Sequence, residues 1–154
     1  MEGKLESKLE VNVPAREIWD IYGGLKLGQL GSKLVPDHFE RVEVIEGDGG
    51  VGTVLRVIFP PGTPNLTSHI EKFTVVDNEK RIKVAEVIKG GYLDLGFSLY
   101  RVRFEIIEKD ANSSIIKTTI EYKVDNAAHA SLVSTTSLDL VAEAIAKYLT
   151  EKKV

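Results

Sequence analysis

The sequence predicts an α+β fold in which one curved antiparallel sheet wraps a long C-terminal helix. Two observations lead there. Segments rich in Val, Ile, Thr and Phe follow one another from Phe39 to Val124 with only short turn clusters between them. Such connections are too short for crossover helices, so neighbouring strands must run antiparallel. The last segment, SLDLVAEAIAKYLTEKK, sets Leu138, Val141, Ile145 and Tyr148 at helical spacing. That helix must bury its apolar stripe, and the concave face of a curved sheet offers the place. With 154 residues the chain is read as one domain, 1–154, able to bury roughly two-thirds of its unfolded surface.

The elements follow in order. Leu5, Leu9, Val11 and Val13 alternate with Glu6, Lys8, Glu10 and Asn12, the period of a half-buried strand. Pro14 then opens a short helix through Trp19 to Tyr22, since a first helical turn needs no proline N–H. Gly23 and Gly24 end it, and LKLGQLGSKL reads as a second short helix. Six strands come next, punctuated by EGDGG, PPGTPN, VDNEK, KGG and EKDANSS. The terminal helix ends in lysines, which suit the negative end of its macrodipole. Aromatic residues are only 7% of the chain, compatible with either a filled or a hollow space between helix and sheet.

Composition excludes several functions. A net charge of -3, with signs alternating along the chain, leaves no basic stripe for nucleic acid. Without cysteine there is no disulfide and no thiolate metal site, and three histidines alone give no metal-ligand spacing. His38 and His129, near turns, read as solvated. No apolar run reaches signal-peptide or membrane-span length, so a cytoplasmic protein is expected, with the sequons at Asn65 and Asn112 as chance matches.

EGDGGVGT, Glu46 to Thr53, holds four glycines in eight positions and invites a phosphate-loop reading. It lacks the lysine of a Walker loop, carries Asp48, and leads into the strand VLRVIF rather than a helix N-terminus. It reads as a hairpin turn built on positive-φ glycines.

The residues that can do chemistry lie further on. Thr67, His69, Glu71 and Phe73 share one strand face by period 2, and Lys83 lies on the next strand across the turn DNEK. If that face lines a cavity, the hairpin gathers an imidazole, a carboxylate and an ammonium. Such a set suits condensation of an amine with an aldehyde, which needs an acid at the carbonyl oxygen and a base at nitrogen. Burial would move both groups towards neutrality, raising the carboxylate and lowering the lysine. The competing arrangement is a solvent-facing cross-strand pair. Tyr100, Val102 and Phe104 alternate inward as core or cavity lining, and Asp94, in GGYLDLGFSLY, reads as a turn residue.

IEGDGGVGT, EKFTVVDNEKRIK, VIKGGYLDLGFSLY and SSIIKTTIEYKV occur in this order across the chain. Together they resemble the birch-pollen-allergen superfamily of class-10 pathogenesis-related plant proteins. GGYLDLG, LKLGQLGSKLVP and GFSLYRVRFEIIEK resemble its norcoclaurine synthase and norbelladine synthase branch. The resemblance implies a helix-grip fold: a seven-stranded sheet round the long helix, enclosing an apolar cavity. It implies Lys83 as general acid, Glu71 as base and His69, or beside it Ser68, in place of a catalytic tyrosine. His69 would orient phenols. The branch's catalytic aspartate falls on Val102, where this chain has no carboxylate. Phe59, Ser68, Tyr100, Val102, Leu138, Val141, Ala142 and Ile145 are expected to line the ligand site. The expected function is condensation of a phenethylamine, dopamine or tyramine, with an aromatic aldehyde to an imine or its Pictet–Spengler product, without a cofactor. The alternative is a non-catalytic binder of apolar ligands or hormones such as cytokinin, abscisic acid or flavonoid. A monomer or weak homodimer is expected.

Overall fold

The computed structural model describes residues 1–152. Seven strands form one antiparallel sheet: β1 (Glu2–Val11), β2 (Arg41–Glu46), β3 (Val54–Ile58), β4 (Ser68–Asp77), β5 (Ile82–Gly90), β6 (Phe97–Asp110) and β7 (Ser113–Val124). Their spatial order is β1-β7-β6-β5-β4-β3-β2. Strands β2 to β7 are a simple meander, as short turns require, and β1 closes on β7 with Leu5 opposite Ile120 and Leu9 opposite Ile116. The chain therefore crosses from one sheet edge to the other between β1 and β2. It does so through α1 (Ala15–Tyr22) and α2 (Lys26–Leu34). The glycine loop is the β2–β3 turn, with Gly47, Gly49 and Gly52 at positive φ.

Pro14 caps α1, whose Ile18, Trp19, Ile21 and Tyr22 are buried. Gly23 ends the helix under the Trp19 ring, where a Cβ would lie 2.6 Å from a ring carbon, so only glycine fits. Two short 3-10 turns, Gly91–Leu95 and Ala127–Leu132, were not legible as helical in the sequence. They follow β5 and β7 and bring Tyr92 and Leu132 together, the Tyr92 hydroxyl donating to the Leu132 carbonyl at 3.1 Å. Asp94 lies exposed in the first of them. No helix of the described residues is long and apolar enough to cross a membrane.

The terminal helix α3 (Thr136–Lys152) lies in the concave face, and its two halves meet different surroundings. Ala142, Ile145 and Leu149 pack into a solid core with Val13, Ile18, Ile106 and Ile116. Leu138 and Val141, nearer its start, face a hollow. The space between helix and sheet is thus filled at one end and open at the other. β-bulges between Ile70 and Glu71 and between Phe73 and Val75 sharpen the curl of the sheet round that hollow.

Candidate active site

The hollow is a cavity of about 160 Å³ between α2, the first half of α3 and strands β2 to β6. At ~10–15 Å³ per water centre it has room for roughly ten waters, or one or two aromatic rings in their place. Period 2 on β4 turns His69, Glu71 and Phe73 to its wall, and Lys83, Ala85, Tyr100, Val102 and Phe104 face it from β5 and β6. Thr67, expected on the same face, precedes the strand and is exposed.

Lys83 is 2% exposed, so the solvent-facing pair is not what forms. Its neighbours across the sheet are Val76 and Phe104. Its Nζ donates to the Gly24 carbonyl at 3.2 Å and sits 4.4 Å from the centre of the Phe73 ring and 5.6 Å from that of Phe104. Both ring faces attract the cation. Burial pushes the pKa of Lys83 down to about 8, while the charge of Glu71 acts the other way. The ammonium is thus an acid poised just above neutrality.

Glu71 lies opposite Val87, four residues along β5 from Lys83, a backbone separation of ~13 Å along the strand. Both side chains end in the one cavity, and among the described residues neither forms an ion pair with the other. Glu71 instead accepts from His69: Nε2 to Oε1 is 2.8 Å, with the two side chains only 10% and 18% exposed. The Phe59 ring meets the imidazole edge-on at 5.3 Å. His69 Nδ1 is buried without a hydrogen-bond partner, against Gly91, where a Cβ would come within 3.3 Å of it. His69 thus gives one nitrogen to the carboxylate and turns the other away from the cavity.

At the far end Tyr92 and Tyr100 stack at 4.2 Å with ring planes 8° apart. Burial pushes the Tyr100 phenol far above its usual range, reinforced by Tyr92 and by the Glu71 charge, so it serves as a hydrogen-bond donor and not as a base.

Of the expected ligand-site residues, Phe59, Tyr100, Val102, Leu138 and Val141 are on the cavity wall. Ser68, Ala142 and Ile145 are not. Ser68 has the opposite parity to His69 on β4, and Ala142 and Ile145 face the filled half of the core. His38 is half-buried rather than solvated, its Nδ1 2.8 Å from the Ser137 hydroxyl, whereas His129 is exposed. The sequence reading missed Leu27, Gly28 and Gly31 of α2. Their signal was the two glycines three apart. Gly28 lets the helix close on Val42, and Gly31 faces Val141, without side chains to fill the cavity.

Relatives share this architecture. The chain is 48% identical to norbelladine synthase of Narcissus pseudonarcissus, a match covering 99% of this chain and 95% of that protein. S-norcoclaurine synthase 2 of Papaver somniferum is 41% identical over 95% of this chain, which spans only 64% of that relative, less than two thirds of its length. Norcoclaurine synthase of Thalictrum flavum, solved in complex with dopamine and hydroxybenzaldehyde, superposes with a TM-score of 0.86 at 37% identity, covering 98% of this chain and 88% of that one. The pathogenesis-related Bet v 1 pattern matches residues 1–152, and with the fold and the relatives in agreement the chain belongs to the pathogenesis-related protein Bet v 1 family.

Proposed function

We propose that this chain condenses an aromatic amine of the phenethylamine class with an aromatic aldehyde inside the cavity, giving an imine. One observation carries the reading. A buried ammonium and a carboxylate line the same largely apolar cavity without being paired to each other, so the second oxygen of Glu71 and the remaining N–H groups of Lys83 are available to a reacting group. The Thalictrum flavum relative, solved with dopamine and hydroxybenzaldehyde, supports the substrate classes.

The amine nitrogen attacks the aldehyde carbon as Lys83 protonates the carbonyl oxygen and Glu71 takes a proton from nitrogen. Glu71 then returns its proton to the hydroxyl, the C–O bond breaks and water leaves. The resulting iminium gives its N–H proton to Lys83, which restores both groups. The sequence is redox-neutral and releases one water. His69, donating to Oε1, holds the Glu71 carboxylate in one orientation, and the apolar wall excludes the bulk water that would reverse the dehydration. Val102, on the wall where cyclising relatives of this branch are expected to carry a carboxylate, favours release at the imine stage over closure to the Pictet–Spengler product.

The alternative is passive binding of an apolar hormone or flavonoid. Its support is the apolar and aromatic character of most of the wall. Incubation of the protein with dopamine and 4-hydroxybenzaldehyde, quenched with borohydride and resolved by chiral chromatography, separates the two. Trapped amine formed faster than in a protein-free control, with the excess lost in Lys83→Met, is the expected outcome. No excess with any amine–aldehyde pair, alongside saturable binding of an apolar dye, would leave the binder.

A further inference from the structure

We propose that the glycine loop Gly47–Thr53 is a positioning device for the Lys83 ammonium, holding the Gly24 carbonyl and the Phe73 ring against it. The loop lies outside the cavity and touches no reacting atom, yet a continuous set of contacts leads from it to Nζ. Thr53 is fully buried and its Oγ1 accepts from the Gly49 N–H at 2.9 Å, which pins the tip of the loop. Gly49, at φ +110°, packs its bare Cα on the α1–α2 junction: a Cβ there would lie 3.3 Å from the Gly24 Cα and 3.4 Å from the Leu25 nitrogen. Gly24 supplies the carbonyl that accepts from Lys83. On its other side the loop bonds the Phe73 backbone twice, Gly52 N to Phe73 O and Phe73 N to Thr53 O, each at 2.8 Å. Phe73 carries the ring nearest the ammonium.

One turn thus fixes two of the groups that keep a buried charge tolerable. The carbonyl is the hydrogen-bond acceptor of Lys83 among the described residues, so displacing it removes stabilisation from the charged form alone. Lys83 then gives up its proton at lower pH. The effect on the reaction rests on the reading of Lys83 as general acid; the effect on the ammonium does not.

The test is the titration of Lys83 followed by NMR in protein labelled at lysine Cε, assigned by the signal missing in Lys83→Met. In Gly49→Ala and in Thr53→Val the midpoint should fall by roughly one pH unit, about tenfold in proton affinity, as a hydrogen bond to a charged group predicts. Thr53→Ser, which keeps the hydroxyl, should restore it. Gly62→Ala should leave it unchanged, because Gly62 also lies at positive φ, +86°, but has nothing within 4 Å of the added Cβ. The descending limb of kcat against pH should move with the midpoint. If Gly49→Ala does not fold, Thr53→Val and Thr53→Ser carry the test. An unmoved midpoint in folded variants overturns the positioning role, whatever the activity. A moved midpoint with an unmoved pH–rate profile upholds it and removes Lys83 from the chemistry instead.

Discussion

Replacing Lys83 with methionine keeps the length of the side chain and deletes its charge, and it should make the protein more stable while nearly abolishing turnover. The ammonium ordinarily titrates at 10.5 and here at about 8, a displacement that corresponds to ~3 kcal/mol of destabilisation while the group is charged in the folded state. Between those two values the unfolded chain holds the proton and the folded chain does not. Wild-type stability therefore carries the full penalty below pH 8 and recovers it as pH rises towards 10.5. The methionine variant has no such dependence. It gives up the bond to the Gly24 carbonyl, which costs ~1–3 kcal/mol if that oxygen is left without a partner. At pH 7 the variant should therefore be more stable by about 0–2 kcal/mol, and between pH 8 and 10.5 the difference should move by ~3 kcal/mol towards wild type, which ends the more stable of the two. Urea unfolding of both proteins across that range reads the difference. The chain has a single tryptophan, Trp19, buried against Gly23 and bonded to Asn78, whose fluorescence reports the transition. Turnover should fall by ~10²-fold or more, the usual contribution of a general acid. A stability difference independent of pH would refute the buried charge, and wild-type turnover in the variant would refute the acid.

The other expectations are shorter. Val102→Asp puts a carboxylate on the cavity wall and should raise the ratio of cyclised product to borohydride-trapped imine at matched conversion, with a stability cost of ~1–3 kcal/mol; an unchanged ratio would mean position 102 does not control closure. His69→Phe should lower kcat by roughly tenfold with little change in KM, since Glu71 loses only the group that orients it; equal losses in both would point to direct substrate contact instead. Ile145→Ala should cost ~2–5 kcal/mol in urea unfolding and leave KM alone, whereas Leu138→Ala should raise KM at a smaller cost, because one residue lies in the filled core and the other on the cavity; KM responses that were alike would remove that division.

The placement of Glu71, Lys83 and Phe73 was legible because alternation along a strand is a strict geometric rule and the DNEK turn joins neighbouring strands. The same rule already excluded Ser68, one residue from His69, which stayed in view only because a longer preceding loop blurred the register with relatives. Alternation does not say which face of a sheet is concave, so the depth of Lys83 was invisible until α3 was placed. A helical stripe likewise marks Ala142 and Ile145 as buried without saying which end of the helix adjoins a hollow. The partner of Lys83 left no trace at all. It is the main-chain carbonyl of Gly24, a group every residue possesses, brought near by the crossing of α1 and α2 from one sheet edge to the other.

That α3 is packed tightly at one end and loosely at the other has a consequence for motion. Amide protons around Ile145 and Leu149 should exchange only when the whole domain opens, because their side chains lie among residues of β6, β7 and α1. Around Ser137 and Leu138 the helix borders the cavity, and among the described residues side-chain bonds tie this end to the α2–β2 connection through His38 and Ser137 and to β1 through Ser7 and Asp139. Amides in the first turns of the helix are therefore expected to exchange faster than those in the last, a gradient that native-state hydrogen exchange would show.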